Sequence, residues 1–434
     1  MEDMKYAEAM RYIEEAGTYG IVPGLDSIRE LCARVGDPQK ELRFVHIAGT
    51  NGKGSVLAFL SGMLQAGGVR VGCYISPVLM EYREKIQVNG RPVSRQGICR
   101  HLSRIRRAVE EMTAEGYAHP TVFEIETVLG FLYFAEKKCG IVLLETGLGG
   151  DLDATNVIPP PEVAVFTSIS MDHMQFLGDS LEEIAGHKAG IIKPGCQVVT
   201  MSQTAEVQAV LQKRAEEEGC SFFAAEEEEI TAIKYGLERQ KFTFRGFRNL
   251  EISLAGRHQI RNAALAVEVM CRLEACGFRI REEQLRQGLA HAVWRGRFEI
   301  LGKKPWIIAD GAHNEDGAVK LADSLSFYFT NRRIIYIMGV LRDKEYDRIL
   351  RATCALADHI ITLTPPANPR ALPAYELARE AERYHSSVTV ADSVEEAVEL
   401  ACLLAGTEDV IVAFGSLSYL GALTRAAERY GKKK

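Results

Sequence analysis

Residues 44–55 read Phe44-Val45-His46-Ile47-Ala48-Gly49-Thr50-Asn51-Gly52-Lys53-Gly54-Ser55, a mostly apolar run feeding into a turn that holds three glycines. The run reads as a short buried strand, and Val56, Leu57, Phe59, Leu60, Met63 and Leu64 suit a helix that follows. A strand, a glycine turn and a helix N-terminus confine this part of the chain to an α/β unit. They also expose consecutive backbone N–H groups where the helix dipole favours an anion, which makes a cradle for polyphosphate. Asn51, Gly52, Lys53, Gly54 and Ser55 are therefore expected to bind a nucleotide. Lys53 adds a mobile charge for the terminal phosphates, and Ser55 a hydroxyl within reach of Mg²⁺. The spacing departs from G-x-x-x-x-G-K-[ST]: Ile47 stands where that pattern has its first glycine, and Gly54 separates Lys53 from Ser55. An ordinary strand-to-helix turn is the other reading of the same residues.

The rest of the chain repeats the α/β pattern. Residues 4–16, 97–115 and 122–137 have helical spacing, while Arg70–Ile75, Ile141–Leu144 (ending on Glu145) and Glu162–Ser168 read as buried strands. Such alternation implies a mostly parallel sheet. The glutamate-rich stretch 216–229 is expected to be a solvated face or loop. Phe242-Thr243-Phe244 and Leu250–Leu254 read as paired strands around Arg245-Gly246, Arg257–Cys271 as a helix, and Trp294–Arg297 as a hinge. Beyond it, strands near 306–309, 333–338, 359–363, 387–390 and 409–414, each followed by a helical pattern, predict a second, smaller α/β domain with its own sheet.

Composition narrows the function classes. With 434 residues, 47% hydrophobic and 25% charged, the chain has room for two or three domains. A net charge of −6 gives no general attraction to nucleic acid or anionic membranes. Ten cysteines without a C-x-x-C pair fit a reduced compartment. The N-terminus reads as an amphipathic helix rather than a signal peptide, and no apolar stretch approaches the ~18 residues of a membrane span. A cytoplasmic protein is expected.

Several single residues invite chemistry. Glu145 ends a strand at the sheet edge where ligands gather in open α/β folds, and the following Gly147-Leu148-Gly149-Gly150 lets backbone approach, so it is a candidate Mg²⁺ ligand. His173 could complete a magnesium shell, although an isolated histidine after a strand is more often structural. Lys188 lies on a helix opened by the capping pair Ser180 and Glu183, and by local sequence alone it reads as solvated. Asp310 and His313 share a strand-end loop, and Arg297 at the hinge could reach a nucleotide between domains. Gly415-Ser416-Leu417-Ser418 could present amides to a carboxylate.

Taken together, these segments resemble the folylpolyglutamate synthases and dihydrofolate synthases, relatives of the Mur peptide ligases. The resemblance runs through Gly49–Ser55, Ser76-Pro77, Phe123-Glu124, Glu145–Gly150, Leu152–Asn156, Asp172-His173, Lys188-Ala189-Gly190, Gly256–Gln259 with Asn262, Gly296–Glu299, Asp310–Asn314 and Gly415-Ser416. It implies a Mur-ligase-like ATP-binding domain over 1–296 and a glutamate-ligase α/β domain over 297–434. By matching position, Ser76, Glu145 and His173 would be magnesium ligands. Lys188 would be the lysine that the family carries as a carbamate. Asn262, Arg297 and Asp310 would contact ATP with His313 beside them. Phe123, Leu152, Asp153 and Ala154 would line the pterin site. The expected reaction joins L-glutamate to a folate-type carboxylate through an acyl phosphate; ATP is co-substrate, Mg²⁺ the cofactor and a monomer the expected state. The chain departs from the family pattern at Val78, Asp151, Arg295 and Glu315, and Asp151 reverses the charge of the arginine usual at that place. A Mur-type ligase acting on a muramyl precursor is the alternative; Leu152–Asn156 and the lack of an evident UDP-binding domain ahead of the phosphate loop stand against it. A nucleotide-driven switch is a third reading, and the absence of any Asn-Lys dipeptide argues against a GTPase.

Overall fold

The structure, a computed structural model, describes residues 4–20 and 24–433. The apolar run before the glycine turn is strand β1 (Phe44–Ala48), buried at every position. With β2 (Val71–Tyr74), β3 (Ile86–Val88), β4 (Arg91–Pro92), β5 (Ile141–Glu145), β6 (Val163–Phe166), β7 (Gln197–Met201) and β8 (Ser221–Ala225) it forms an eight-stranded sheet of order β4-β3-β2-β5-β1-β6-β7-β8. The six strands from β2 to β8 in that order run parallel, while β3 and β4 fold back antiparallel at one edge.

Both faces are covered, so the central strands are near-continuous apolar runs, with the buried His46 of β1 an exception, rather than alternating with polar residues. Successive residues of β5 divide between two cores. Ile141 and Leu143 face the helices Lys53–Ala66 and Gln259–Ala275, whereas Val142 and Leu144 face the helices Arg95–Ala114 and Val122–Glu136. The helix Lys53–Ala66 is crossed at very close range by the helix Glu282–Ala290: a Cβ on Gly62 would meet Gly288 O at 2.5 Å.

A three-stranded antiparallel sheet, β9 (Thr231–Lys234), β10 (Gln240–Phe244) and β11 (Phe247–Ile252), adds Phe242, Phe244, Leu250 and Ile252 to the first core. The last part of the chain builds a six-stranded sheet from β12 (Glu299–Lys303), β13 (Trp306–Ala309), β14 (Ile334–Met338), β15 (His359–Leu363), β16 (Val388–Ala391) and β17 (Val410–Phe414). Its order is β12-β13-β17-β14-β15-β16, parallel except for β12. Two mostly parallel sheets are thus present, as the alternation implied.

The acidic stretch is not one loop. Glu216 and Glu217 close the helix Ala205–Glu217, and the edge strand β8 precedes Glu226–Glu229. The charges sit on the solvent side of elements that Val207, Leu211 and Ala215 bury. The hairpin β3–β4 and strand β12 escaped the periodicity because short edge strands carry little pattern. Among the described residues, no helix is long and apolar enough to cross a membrane.

Candidate active site

The parallel register places Ile47 opposite Glu145, so the carboxylate stands at the C-terminal edge beside the glycine turn. Gly52 caps the helix Lys53–Ala66 with a φ of 97°. Gly49 has a φ of 147°, and a Cβ there would meet Thr167 Oγ1 at 1.9 Å. Gly54 is required for another reason: the Trp294 ring would lie 2.3 Å from its Cβ. Gly49→Ala is expected to cost about 2–3 kcal/mol in chemical denaturation, from backbone strain together with the clash. An unchanged unfolding midpoint would refute that account of the turn.

Two lysines converge on this turn. Lys53 Nζ donates to Gly49 O at 3.0 Å and to Thr50 O at 3.3 Å, and Lys188 Nζ donates to the same Gly49 O at 3.3 Å. Lys188 is 5% exposed, which overturns the solvated reading of its helix. Burial, and then the neighbouring Lys53 charge, push its ammonium down to about 7. Lys53 is lowered by burial, with Glu145 opposing. Glu145 is pushed up by burial against the pull of Lys53. Its contacts are long: Lys53 Nζ stands 3.9 Å from Oε1, and Ser76 N donates to Oε2 at 3.4 Å. A buried carboxylate held so loosely, with the Ser76 backbone beside it, has free oxygen lone pairs of the kind that Mg²⁺ takes. Among the described residues, no group of three or more His, Cys, Asp or Glu side chains converges as a metal site, so such an ion would depend on Ser76 and on ligands from substrate and water.

The remaining candidates fall around two cavities. One of about 70 Å³ is walled by Asn51, Gly52, Ser55, Asn262, Arg297 and Asp310. Gly54 is absent from that wall and instead packs against Trp294. Asp310 accepts from Phe298 N at 2.7 Å and Ala312 N at 2.8 Å, which shapes the loop at the cavity wall. The second, a cleft of about 670 Å³, takes Ser76, Phe123, Leu152, Asp153, Ala154, His173 and His313. Phe123 packs flat enough on the chain at Gly147 that a Cβ there would meet its ring at 2.6 Å. The Asp153 carboxylate accepts from Leu148 N at 2.7 Å, from Thr155 N at 3.0 Å and from the Thr155 hydroxyl, so it fixes the turn that presents Leu152 and Ala154. Ser416 and Ser418 reach the same cleft. His173 and His313 are each lowered to about 4, by burial first and then by the Lys344 charge, so both rings are neutral at physiological pH.

Sequence reasoning missed the bridge between the sheets. Asn51 Nδ2 donates to Asn314 Oδ1 at 3.0 Å and to Asp316 Oδ2 at 2.7 Å. Asn314 Nδ2 donates to Asp172 Oδ2 at 2.9 Å, and Lys344 Nζ to Asp172 Oδ1 at 2.8 Å. Burial would raise the Asp172 carboxyl, but Lys344 and His173 hold it well below the usual carboxylate range. No local signal marks Lys344, which lies in a polar loop. The box Thr121-x-x-Glu124 beside the cleft was readable as a helix start, and both its hydrogen bonds form.

A phosphate-type turn, a carboxylate at its edge and a second α/β unit closing over both define an ATP-dependent ligase of the Mur type. Residues 47–270 match the model of the Mur ligase middle domain, and residues 296–417 that of the Mur ligase glutamate ligase domain. The chain belongs to the folylpolyglutamate synthase/dihydrofolate synthase family, and it is an ATP-dependent glutamate ligase. It is 36% identical over 427 residues to the Bacillus subtilis dihydrofolate synthase/folylpolyglutamate synthase, spanning 97% of this chain and 98% of that one. It is 33% identical to the folylpolyglutamate synthase of Lacticaseibacillus casei, over 99% of this chain and all of the relative. The structure of Mycobacterium tuberculosis folylpolyglutamate synthase complexed with ADP superposes with a TM-score of 0.89 at 29% identity, over 99% of each chain. Escherichia coli FolC in complex with DHPP and ADP gives 0.85 at 28% identity, over 99% of this chain and 98% of that one.

Proposed function

We propose that this ligase binds ATP over the glycine turn, with the small cavity taking only part of the nucleotide, and a folate-type carboxylate in the large cleft, dihydropteroate or a reduced folate. The two Mur-type domains, 1–296 and 297–434, enclose the reaction between them. The observation that carries the reading is the shared Gly49 carbonyl: Lys53 and Lys188 meet there, beside the buried Glu145. The chemistry needs charge neutralisation more than acid–base power, because a carboxylate must approach a triphosphate. Lys53 supplies one positive charge, and Arg297 at the rim of the nucleotide cavity a second. Glu145, Ser76 and His173 would hold Mg²⁺, which adds positive charge to the transferred phosphoryl group. Lys188, lowered to about 7, has a free amine to accept CO₂, and the resulting carbamate would be an anionic oxygen ligand facing the same space. The acceptor carboxylate takes the γ-phosphoryl group, the glutamate amine displaces phosphate from the acyl phosphate, and closure keeps water away meanwhile. Ser416, Ser418 and Lys344 place amide, hydroxyl and ammonium donors on the C-terminal side of the cleft, where the glutamate carboxylates would lie. The protein is read as a cytoplasmic monomer without nucleic-acid or membrane partners.

The test incubates the protein with ATP, Mg²⁺ and L-glutamate, with dihydropteroate or tetrahydrofolate supplied separately, and weighs the products by mass spectrometry. Addition of one glutamyl unit, together with glutamate-dependent ADP release, is the expected outcome. ATP turnover that ignores both acceptors would refute the reading of the cleft.

A further inference from the structure

The wall of the large cleft between the pterin-facing turn and Lys188 carries a charged pair that the reaction leaves without a role. His187 Nδ1 lies 3.1 Å from Asp151 Oδ1 and 3.0 Å from Oδ2, and Leu152 N donates to Oδ1 at 2.8 Å. The backbones are tied as well, Asp151 N donating to His187 O at 2.9 Å. Neither can retreat: a Cβ on Gly190 would stand 2.3 Å from Asp151 Cβ, and one on Gly150 would stand 2.7 Å from His187 O and Lys188 O. Both side chains line the cleft and remain part exposed, 36% for His187 and 39% for Asp151. The pair is thus a fixed piece of wall, one residue from Leu152 on one side and one residue from Lys188 on the other.

Two further carboxylates line the cleft, but Glu124 and Asp153 are buried and turned into hydrogen bonds with Thr121, Leu148 N and Thr155, whereas Asp151 stays part exposed. The lysines and the arginine that line the cleft arrive already matched, Lys85 with Glu126, Lys344 with Asp172 and Arg370 with Asp343. His173 and His313 are neutral. An imidazole that donates one N–H to Asp151 leaves the carboxylate ionised, so the pair carries a net negative charge whenever the ring is neutral.

Folate acceptors differ in where their charge lies. Dihydropteroate has a single carboxylate, the one that reacts. Each glutamyl unit adds an α-carboxylate strung between the ring system and the reacting end, and on the folate reading that stretch passes the wall formed by Asp151, Leu152 and His187. Resting on the folate reading above, we propose that the Asp151–His187 pair is a specificity element that opposes these added α-carboxylates and biases the enzyme toward dihydropteroate and short acceptors.

The test compares kcat/KM for dihydropteroate, tetrahydrofolate and tetrahydrofolyl diglutamate in the wild type and in Asp151→Asn. Asparagine keeps the size of the side chain and an acceptor for Leu152 N while removing the charge. The ratio of diglutamate to dihydropteroate efficiency is expected to rise about three- to tenfold, mostly through KM, as for like charges under a nanometre apart at a wet wall. In the wild type the same ratio should rise with added salt, which screens that repulsion. A role confined to wall shape would lower all three acceptors together, and an unchanged or falling ratio would overturn the proposal. A wild type that ligates none of the three acceptors would instead bring down the folate reading, and this inference with it.

Discussion

Lys53→Ala should lower kcat by about 10²–10³, the scale found when one preorganised charge contact to a transition state is lost. The coupled release of ADP measures it. The lysine stands at the head of the helix Lys53–Ala66, 3.9 Å from Glu145, and needs only to leave the Gly49 and Thr50 carbonyls to meet a terminal phosphate. The substitution relieves two ammonium groups crowded on a single carbonyl but also leaves the buried Glu145 without its nearest counter-charge, so its two effects on stability oppose each other. The electrostatic consequence has a definite sign. Without Lys53, Lys188 loses the neighbour that helps to depress it, so its pKa rises and less free amine is present near neutrality. A variant with full turnover would remove the lysine from the account of phosphoryl transfer.

The second large effect concerns Lys188 itself. Lys188→Ala is expected to reduce ligase turnover by about 10²-fold or more, since the proposed carbamate, an anionic ligand beside the transferred phosphoryl group, could no longer form. The wild type should show a matching pH signature. Its ammonium is lowered to about 7, so the protonated form dominates below that value and the free amine above it. Only the amine adds CO₂, and activity should therefore fall on the acid side and be restored there in part by bicarbonate, from about pH 6 to about pH 7. Initial rates with and without bicarbonate check this in both proteins. Unaltered turnover in Lys188→Ala, or a wild type indifferent to bicarbonate across that range, would exclude the carbamate.

Much of the fold was legible because it is written in short apolar runs separated by glycine. Phe44–Ala48, Ile141–Glu145 and the strands after residue 306 all lie close to where periodicity put them. The site was legible in pieces. The glycine turn announced itself through three residues without side chains, each of which the packing or the backbone demands. Lys188 did not, because nothing within its own helix records that Gly49, 139 positions away, closes over it. Asp172, Asn314 and Lys344 were hidden for the same reason: their chemistry comes from meeting across two sheets, and a single sequence carries no trace of that meeting. At Lys188 the local reading gave a solvated side chain, and burial by distant segments overturned that reading alone.

The indole of Trp294 makes the connection into the C-terminal sheet part of the phosphate turn. It presses on Gly54, and two residues on, Gly296 accepts from Gly311 N at 2.8 Å. Any displacement of the C-terminal sheet about that junction would have to carry the ring along or lift it off the head of the helix Lys53–Ala66. On the proposed reading, grip on the nucleotide and travel of the C-terminal half would then be mechanically coupled, and an inhibitor wedged beneath that ring would throttle both at once.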